Sequence, residues 1–164
     1  DKRIAGLPID EKKAVIIVVN KWDAVKKDDK SMKEYTDKIR AQFLFLSYAP
    51  IVFVSALKNE RVHLLFEQIK QVYENYSRRV ATNVLNDIIL DATIANQAPI
   101  FNGDRLRVMY ATQASSCPPS FVLFVNEPNC MHFSYERYLE NKIREAFILE
   151  GTPIQFILRK KEEY

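Results

Sequence analysis

The 164 residues predict an α/β unit over residues 1–78 followed by an α+β unit over residues 79–164. Three observations carry this reading. Residues Ala14 to Val19 read Ala-Val-Ile-Ile-Val-Val, with no polar residue and a β-branched one at five of six positions, as expected of a strand buried on both faces of a parallel sheet. A second apolar run, Ile51 to Val54, lies between two stretches of helical periodicity, and strand, helix, strand, helix is half of a doubly wound sheet. After Ser77-Arg78-Arg79 the rhythm changes to α-β-β-α-β, which fits a three-stranded sheet with helices on one face.

Each element has a local reason. Asp1 to Pro8 reads as the last turns of a helix stopped by Gly6 and Pro8, and hence as a fragment cut inside a larger domain. The charged loop Lys26 to Lys30 leads to Ser31-Met32-Lys33-Glu34, a capping box opening a helix in which Met32, Tyr35, Ile39 and Phe43 recur at helical spacing. Beyond the second strand, Asn59 can cap a helix whose inward face is Val62, Leu65, Phe66, Ile69, Val72, Tyr73 and Tyr76. The next helix, Asn83 to Asn96, turns Leu85, Ile88, Ile89 and Ala92 inward, and Pro99 with Asn102-Gly103 makes a turn. Arg105 to Thr112 alternates, with Leu106, Val108 and Tyr110 to one side and Arg105, Arg107 and Met109 to the other. Phe121 to Val125 is a solid apolar strand. The longest helix, Ser134 to Leu149, buries Tyr135, Tyr138, Leu139, Ile143, Ala146 and Phe147 until Gly151 and Pro153 stop it. Ile154 to Arg159 is the last strand, and Arg159 to Tyr164 a solvated end.

Composition narrows the class. An apolar fraction of 48% is that of a soluble globular chain, and no run approaches the roughly 18 apolar residues a membrane helix requires. Asp1-Lys2-Arg3 precedes no secretory segment, so the expectation is a cytoplasmic protein without membrane contact. Cys117 and Cys130 are too few for a disulfide framework and, with His132, lack the spacing of a zinc site; they read as reduced thiols, with no metal site. His63 and His132 read as capping or packed histidines. Residues 1–78 hold 15 basic and 11 acidic residues, and residues 79–164 hold 9 and 10. The back half therefore offers no general attracting field, and RNA would have to be met by a local patch such as Arg105, Arg107 and Arg144.

The chemistry converges on Asn20-Lys21-Trp22-Asp23, at the polar end of the first strand. Ligands of open α/β sheets bind just beyond the carboxyl ends of the strands. An ionised carboxylate there can accept two adjacent donors, which is what the N1-H and 2-amino group of guanine present. Asn-Lys-x-Asp after a hydrophobic strand resembles the guanine-specificity motif of Ras-like P-loop GTPases. The resemblance implies that Asp23 accepts from guanine, that the stem of Lys21 lies over the base and that Asn20 ties loops together. The second strand ends in Ser55-Ala56-Leu57, similar to the Ser-Ala-Lys loop of the same proteins, whose backbone N-H reads the guanine carbonyl. Leu57 departs from the lysine. No Gly-x-x-x-x-Gly-Lys loop occurs, since the three glycines, Gly6, Gly103 and Gly151, are far apart.

Both motifs, the second unit, and the stretches Thr82 to Asn86, Pro118 to Phe121 and His132-Phe-Ser-Tyr-Glu-Arg137 resemble the C-terminal portion of the bacterial double-GTPase family EngA, also called Der. That resemblance spans essentially the whole chain. It implies the back of an incomplete GTPase domain followed by a KH-like domain, within a protein of two tandem GTPase domains. Such a protein binds GTP or GDP with magnesium, hydrolyses GTP, and acts with the large ribosomal subunit and its rRNA in ribosome biogenesis. The fragment itself, lacking a phosphate loop, is expected to be inactive, to contain no catalytic residue and to hold no bound nucleotide. It also lacks the Gly-x-x-Gly clamp of an ordinary KH domain. The competing readings are a standalone RNA-binding or ribosome-docking module and a catalytically silent interaction protein.

Overall fold

Helix α1 (Lys2–Asp10) runs straight through Gly6 and Pro8. Proline removes one donor and disturbs one carbonyl, a loss that a two-turn helix can carry. The stop comes later and from geometry. Lys12 adopts a left-handed φ of 56°, while Lys12 N-H donates to the Ile9 carbonyl and Lys13 N-H to that of Pro8, a Schellman turn made without glycine.

The computed structural model describes residues 2–25 and 30–161; the predicted loop over residues 26–29, with Asp1 and the end of the tail, lies outside them. Two units result, one of residues Asp1–Tyr76 with Glu150–Pro153, the other of Ser77–Leu149 with Ile154–Tyr164.

In the first unit, β1 (Ile17–Val19) pairs in parallel with β2 (Ile51–Phe53), Ile17 opposite Ile51 and Val19 opposite Phe53. Contrary to expectation β1 is not covered on both faces. Val18 is 43% exposed, because β2 is the strand it pairs with and no further layer of the described residues covers that side. Helix α2 (Ser31–Gln42) joins the strands. Its N-cap is Lys30, without a side-chain cap bond, so Ser31 is the first helical residue and the capping box does not form. Helix α3 (Val62–Tyr76) follows β2. Asn59 is not its cap but sits in the preceding turn with φ 53°. The predicted inward face of α3 is also rotated: Val72 and Asn75 are buried, whereas Phe66, Ile69 and Tyr73 are exposed. On the buried side the Asn75 amide donates to the Glu150 carbonyl at 3.0 Å, so that its burial leaves it with a partner.

Residues 150–153 complete this unit. Gly151 N-H donates to the Tyr48 carbonyl at 2.7 Å, and the Gly151 carbonyl accepts from Val15 N-H at 2.8 Å. A Cβ on Gly151 would stand 2.4 Å from Val72 Cγ2, and its φ of +79° disfavours any side chain. Gly151→Ala should therefore cost about 1–3 kcal/mol. Denaturant unfolding followed through Trp22, the single tryptophan, would register it; an unchanged midpoint would show that Val72 yields freely.

The second unit opens with α4 (Thr82–Ala95) and a small hairpin not foreseen above, β3 (Ile100–Phe101) and β4 (Asp104–Arg105), closed by Asn102-Gly103 with both φ values positive. A three-stranded sheet follows in the order β5 (Val108–Ser115), β6 (Ser120–Val125), β7 (Gln155–Lys160), the first pair antiparallel and the second parallel. Helix α5 (Phe133–Phe147) precedes β7. It ends before Gly151, at Ile148, whose left-handed φ of 50° terminates it. The alternation read for Arg105 to Thr112 breaks in the middle. A register shift between Val108 and Tyr110 inserts one residue, so that Val108 and Ala111 face the core and Tyr110 faces away.

The core is built by Leu85, Ile89 and Ala92 of α4, Phe121, Leu123 and Val125 of β6, and Tyr135, Leu139 and Ile143 of α5. Tyr135 and Tyr138 lie here with their hydroxyls donating to the Asn96 and Ala92 carbonyls at 2.9 and 2.8 Å. Burial, and after it Tyr138, pushes the Tyr135 hydroxyl above its ordinary pKa.

Candidate functional site

Asn20 and Ser55 stand just past the ends of the two parallel strands, where the backbone ties the loops together. Val54 N-H donates to the Val19 carbonyl at 2.9 Å, and Trp22 N-H to that of Val54 at 3.1 Å. Lys21 takes a left-handed φ of 61° and opens a 3-10 turn over Trp22–Ala24. That reversal drives the Trp22 indole inward, 4% exposed, against Phe53 at 4.6 Å and the edge of Tyr35 at 5.4 Å. The neighbouring Asp23 is thereby turned toward the Ser55 hydroxyl and is half-buried. The wildcard of the motif is thus its anchor, and a lone large aromatic beside polar residues was the signal available for it.

Asn20 Oδ1 accepts from its neighbour Lys21 N-H at 2.8 Å and from Ala56 N-H at 3.1 Å, so the carboxamide joins the two loops as expected of Asn20. Of the backbone N-H groups of the Ser55-Ala56-Leu57 loop, that of Ala56 is thereby already bonded. Ser55, fully buried, donates its hydroxyl to Asp23 Oδ1 at 2.6 Å and accepts from Lys58 N-H at 3.2 Å. Lys58 Nζ lies 3.9 Å from Asp23 Oδ2. Leu57 is 89% exposed. The Ser55 hydroxyl and Lys58 were missed as supports of Asp23: a strand-end serine carries no sequence signal for a partner 32 residues away.

The Ser55 loop is pinned by reciprocal backbone bonds between Ser55 and Glu60, both 3.0 Å, and by Arg61 Nε donating to the Phe53 carbonyl at 3.1 Å. Chemically the arrangement offers a held carboxylate, its side chain 15% exposed, with the Ser55 hydroxyl on Oδ1 and the Lys58 ammonium near Oδ2. It suits a ligand edge bearing two adjacent donors. Among the described residues there is no group of three or more His, Cys, Asp or Glu that could hold a metal ion.

The three arginines proposed for RNA are not equivalent. Arg144 is spent on the fold, paired with Glu140 at 2.8 Å and donating to the Leu149 carbonyl at 2.8 Å. Arg105 bonds the Gln97 side chain. Arg107 is exposed, and its backbone N-H donates to Asn126 Oδ1. His132 caps α5, its Nδ1 accepting from Ser134 N-H at 3.2 Å.

Comparison with known proteins fits this picture. Residues 79–159 match the family described as KH-domain-like of EngA bacterial GTPase enzymes, C-terminal, which defines the second unit as a KH-like domain of that class. The whole chain belongs to the EngA, or Der, family. It is 57% identical over 162 residues to GTPase Der of Listeria monocytogenes serotype 4a (strain HCC23) and 56% identical to that of Bacillus cytotoxicus, covering 99% of this chain in both cases. It is 53% identical to GTPase Der of Brevibacillus brevis over 98% of its length. The chain spans 37% of the length of each of these relatives. A solved structure of an Aquifex aeolicus Era variant bound to GDP.AlF4- aligns over 98% of this chain and 61% of its own at 15% identity, with a TM-score of 0.36, too loose an overlap to take further. No described helix is long and apolar enough to cross a membrane.

Proposed function

We propose that this chain is the guanine-reading and ribosome-docking part of a GTP-hydrolysing protein that acts in assembly of the large ribosomal subunit in the cytoplasm. The observation that carries the reading is the Asp23 carboxylate held at a strand end by the buried Ser55 hydroxyl at 2.6 Å, beside an Asn20 carboxamide that joins both loops. Asp23 accepts from guanine, Lys21 covers the base, and Ser55 and Asn20 position the loops. GTP or GDP with magnesium binds in the intact protein, whose GTPase domains supply the phosphate loop. Residues 1–78 are the back of a GTPase domain, and residues 79–164 a KH-like domain that docks on the subunit and its rRNA.

Catalysis of phosphoryl transfer rests on positioning and charge stabilisation at the phosphates, and this sequence supplies no loop for either. The intact protein should therefore release phosphate from GTP and co-sediment with large ribosomal subunits in a nucleotide-dependent way, while the 164-residue chain releases none. Steady phosphate release by the chain alone, or subunit binding indifferent to nucleotide, would overturn this division of labour.

A further inference from the structure

The motif that closes the second strand stops at Leu57, and Lys58 stands one residue beyond it. The turn around that lysine is fixed by its own backbone. Lys58 N-H donates to Ser55 Oγ at 3.2 Å, Asn59 N-H donates to the Ala56 carbonyl at 3.4 Å, and Asn59 and Arg61 take left-handed φ values of 53° and 59°. The reciprocal bonds between Ser55 and Glu60 close the turn, so the stem of Lys58 starts from a held position. Its ammonium comes to 3.9 Å from Asp23 Oδ2.

The two oxygens of Asp23 are thus held in different ways. Oδ1 accepts the Ser55 hydroxyl at 2.6 Å, a short bond to a charged group. Oδ2 faces a charge instead. At 3.9 Å the Lys58 ammonium lies beyond hydrogen-bond reach, so it attracts Oδ2 without itself taking an acceptor position there. The torsion that turns a carboxylate about its Cβ-Cγ bond is soft, and a bond to one oxygen still permits that turn. A cation beside the other oxygen resists it. The Lys58 side chain is 56% exposed, so the pair is weak and screened by salt, and its effect is a modest one.

Which ligands gain from this follows from how many donors they present. A base edge with one donor needs one oxygen of Asp23, whereas an edge with two adjacent donors needs both oxygens in its own plane. Setting the second oxygen before binding removes an ordering cost that only the second kind of ligand meets. Competition between the ammonium and the ligand for Oδ2 would call for a direct bond, which 3.9 Å does not give. We propose that Lys58 is a positioning residue for base selectivity: it holds Asp23 Oδ2 for the 2-amino group and so sharpens the choice of guanine over hypoxanthine, which lacks that group. The proposal rests on Asp23 being the guanine reader, and its test separates the two.

The experiment is calorimetric titration of the intact protein with GDP and with inosine diphosphate, for the wild type, Lys58→Met and Lys58→Arg, at low and at high ionic strength. Lys58→Met keeps the length of the side chain and removes its charge. It should weaken GDP binding about threefold at low salt and leave inosine diphosphate binding unchanged. Lys58→Arg should restore the preference, because a charge on a long stem is what the role requires. At high salt the wild type and Lys58→Met should converge. Circular dichroism would check that each variant folds. A Lys58→Met variant that changes both nucleotides equally, or neither, would overturn the proposal and leave Lys58 as part of the loop alone; one that binds GDP more tightly would overturn it by making the ammonium a competitor for Oδ2. In each of these cases a wild type that prefers GDP keeps Asp23 as the guanine reader. A wild type that binds the two nucleotides alike would remove that reading and the role of Lys58 with it.

Discussion

Asp23→Asn in the intact protein should weaken GTP and GDP binding by about 1.5–3 kcal/mol, roughly ten- to hundredfold, the usual worth of hydrogen bonds to a charged group. Xanthine nucleotides should gain. Xanthine presents a carbonyl where guanine has its 2-amino group; an asparagine amide can donate to it, and a carboxylate repels it. The fold should survive, because Ser55 Oγ-H, 2.6 Å from Asp23 Oδ1, can donate equally to an asparagine oxygen. Bonding of the asparagine oxygen to Ser55 then leaves its amide toward the ligand, on the side where Lys58 Nζ lies 3.9 Å from Oδ2. Titration with GDP and with xanthosine diphosphate reads both effects. Unchanged GDP affinity would show that Asp23 is not the guanine reader.

Phe121→Ala should be the most damaging single change in the second unit, costing about 3–5 kcal/mol. Phe121 is fully buried on the central strand, 6.4 Å from the Phe156 ring of β7 and within the cluster of α4 and α5 side chains. Its neighbours are fixed on paired strands and two helices, so the space cannot close, and the lost transfer free energy adds to that of the cavity. Denaturant unfolding followed by far-ultraviolet circular dichroism would measure it. Phe121→Leu should lose distinctly less; a loss below about 1 kcal/mol for the alanine variant would mean that the core relaxes around the gap.

Much of this was legible in the residues. Ala14 to Val19, Ile51 to Val54 and Phe121 to Val125 contain the strands β1, β2 and almost all of β6, because unbroken β-branched and aromatic runs have few other ways to be buried. The periods of α4 and α5 named Leu85, Ile89, Ala92, Tyr135, Leu139 and Ile143, all buried. The two motifs named Asn20, Asp23 and Ser55, and in the structure the Ser55 hydroxyl bonds the Asp23 carboxylate while the Asn20 carboxamide bonds the backbone N-H of Ala56. The family was legible as well, since its motifs lie in local strings of residues.

What the sequence determined by itself is local: the apolar periods, the strand ends, and the residue types that stand there with a carboxylate, a carboxamide and a hydroxyl. What the tertiary structure alone decided are matters of register and of distant partners. One inserted residue after Val108 turned Tyr110 out of the core and onto the open face, an inversion that period-two reading cannot foresee. The inward side of α3 carries Val72 and the Asn75 amide, bonded to the Glu150 carbonyl 75 positions on, and leaves the apolar stripe of Phe66, Ile69 and Tyr73 exposed. Gly151 looked like a helix stop and is instead a residue whose missing Cβ leaves room for Val72, 79 positions earlier in the chain. The reason is common to all three. A pattern within ten residues reports which face seeks burial, but the partner that satisfies a polar group or fills a space is set by folding, and folding brings it from anywhere along the chain.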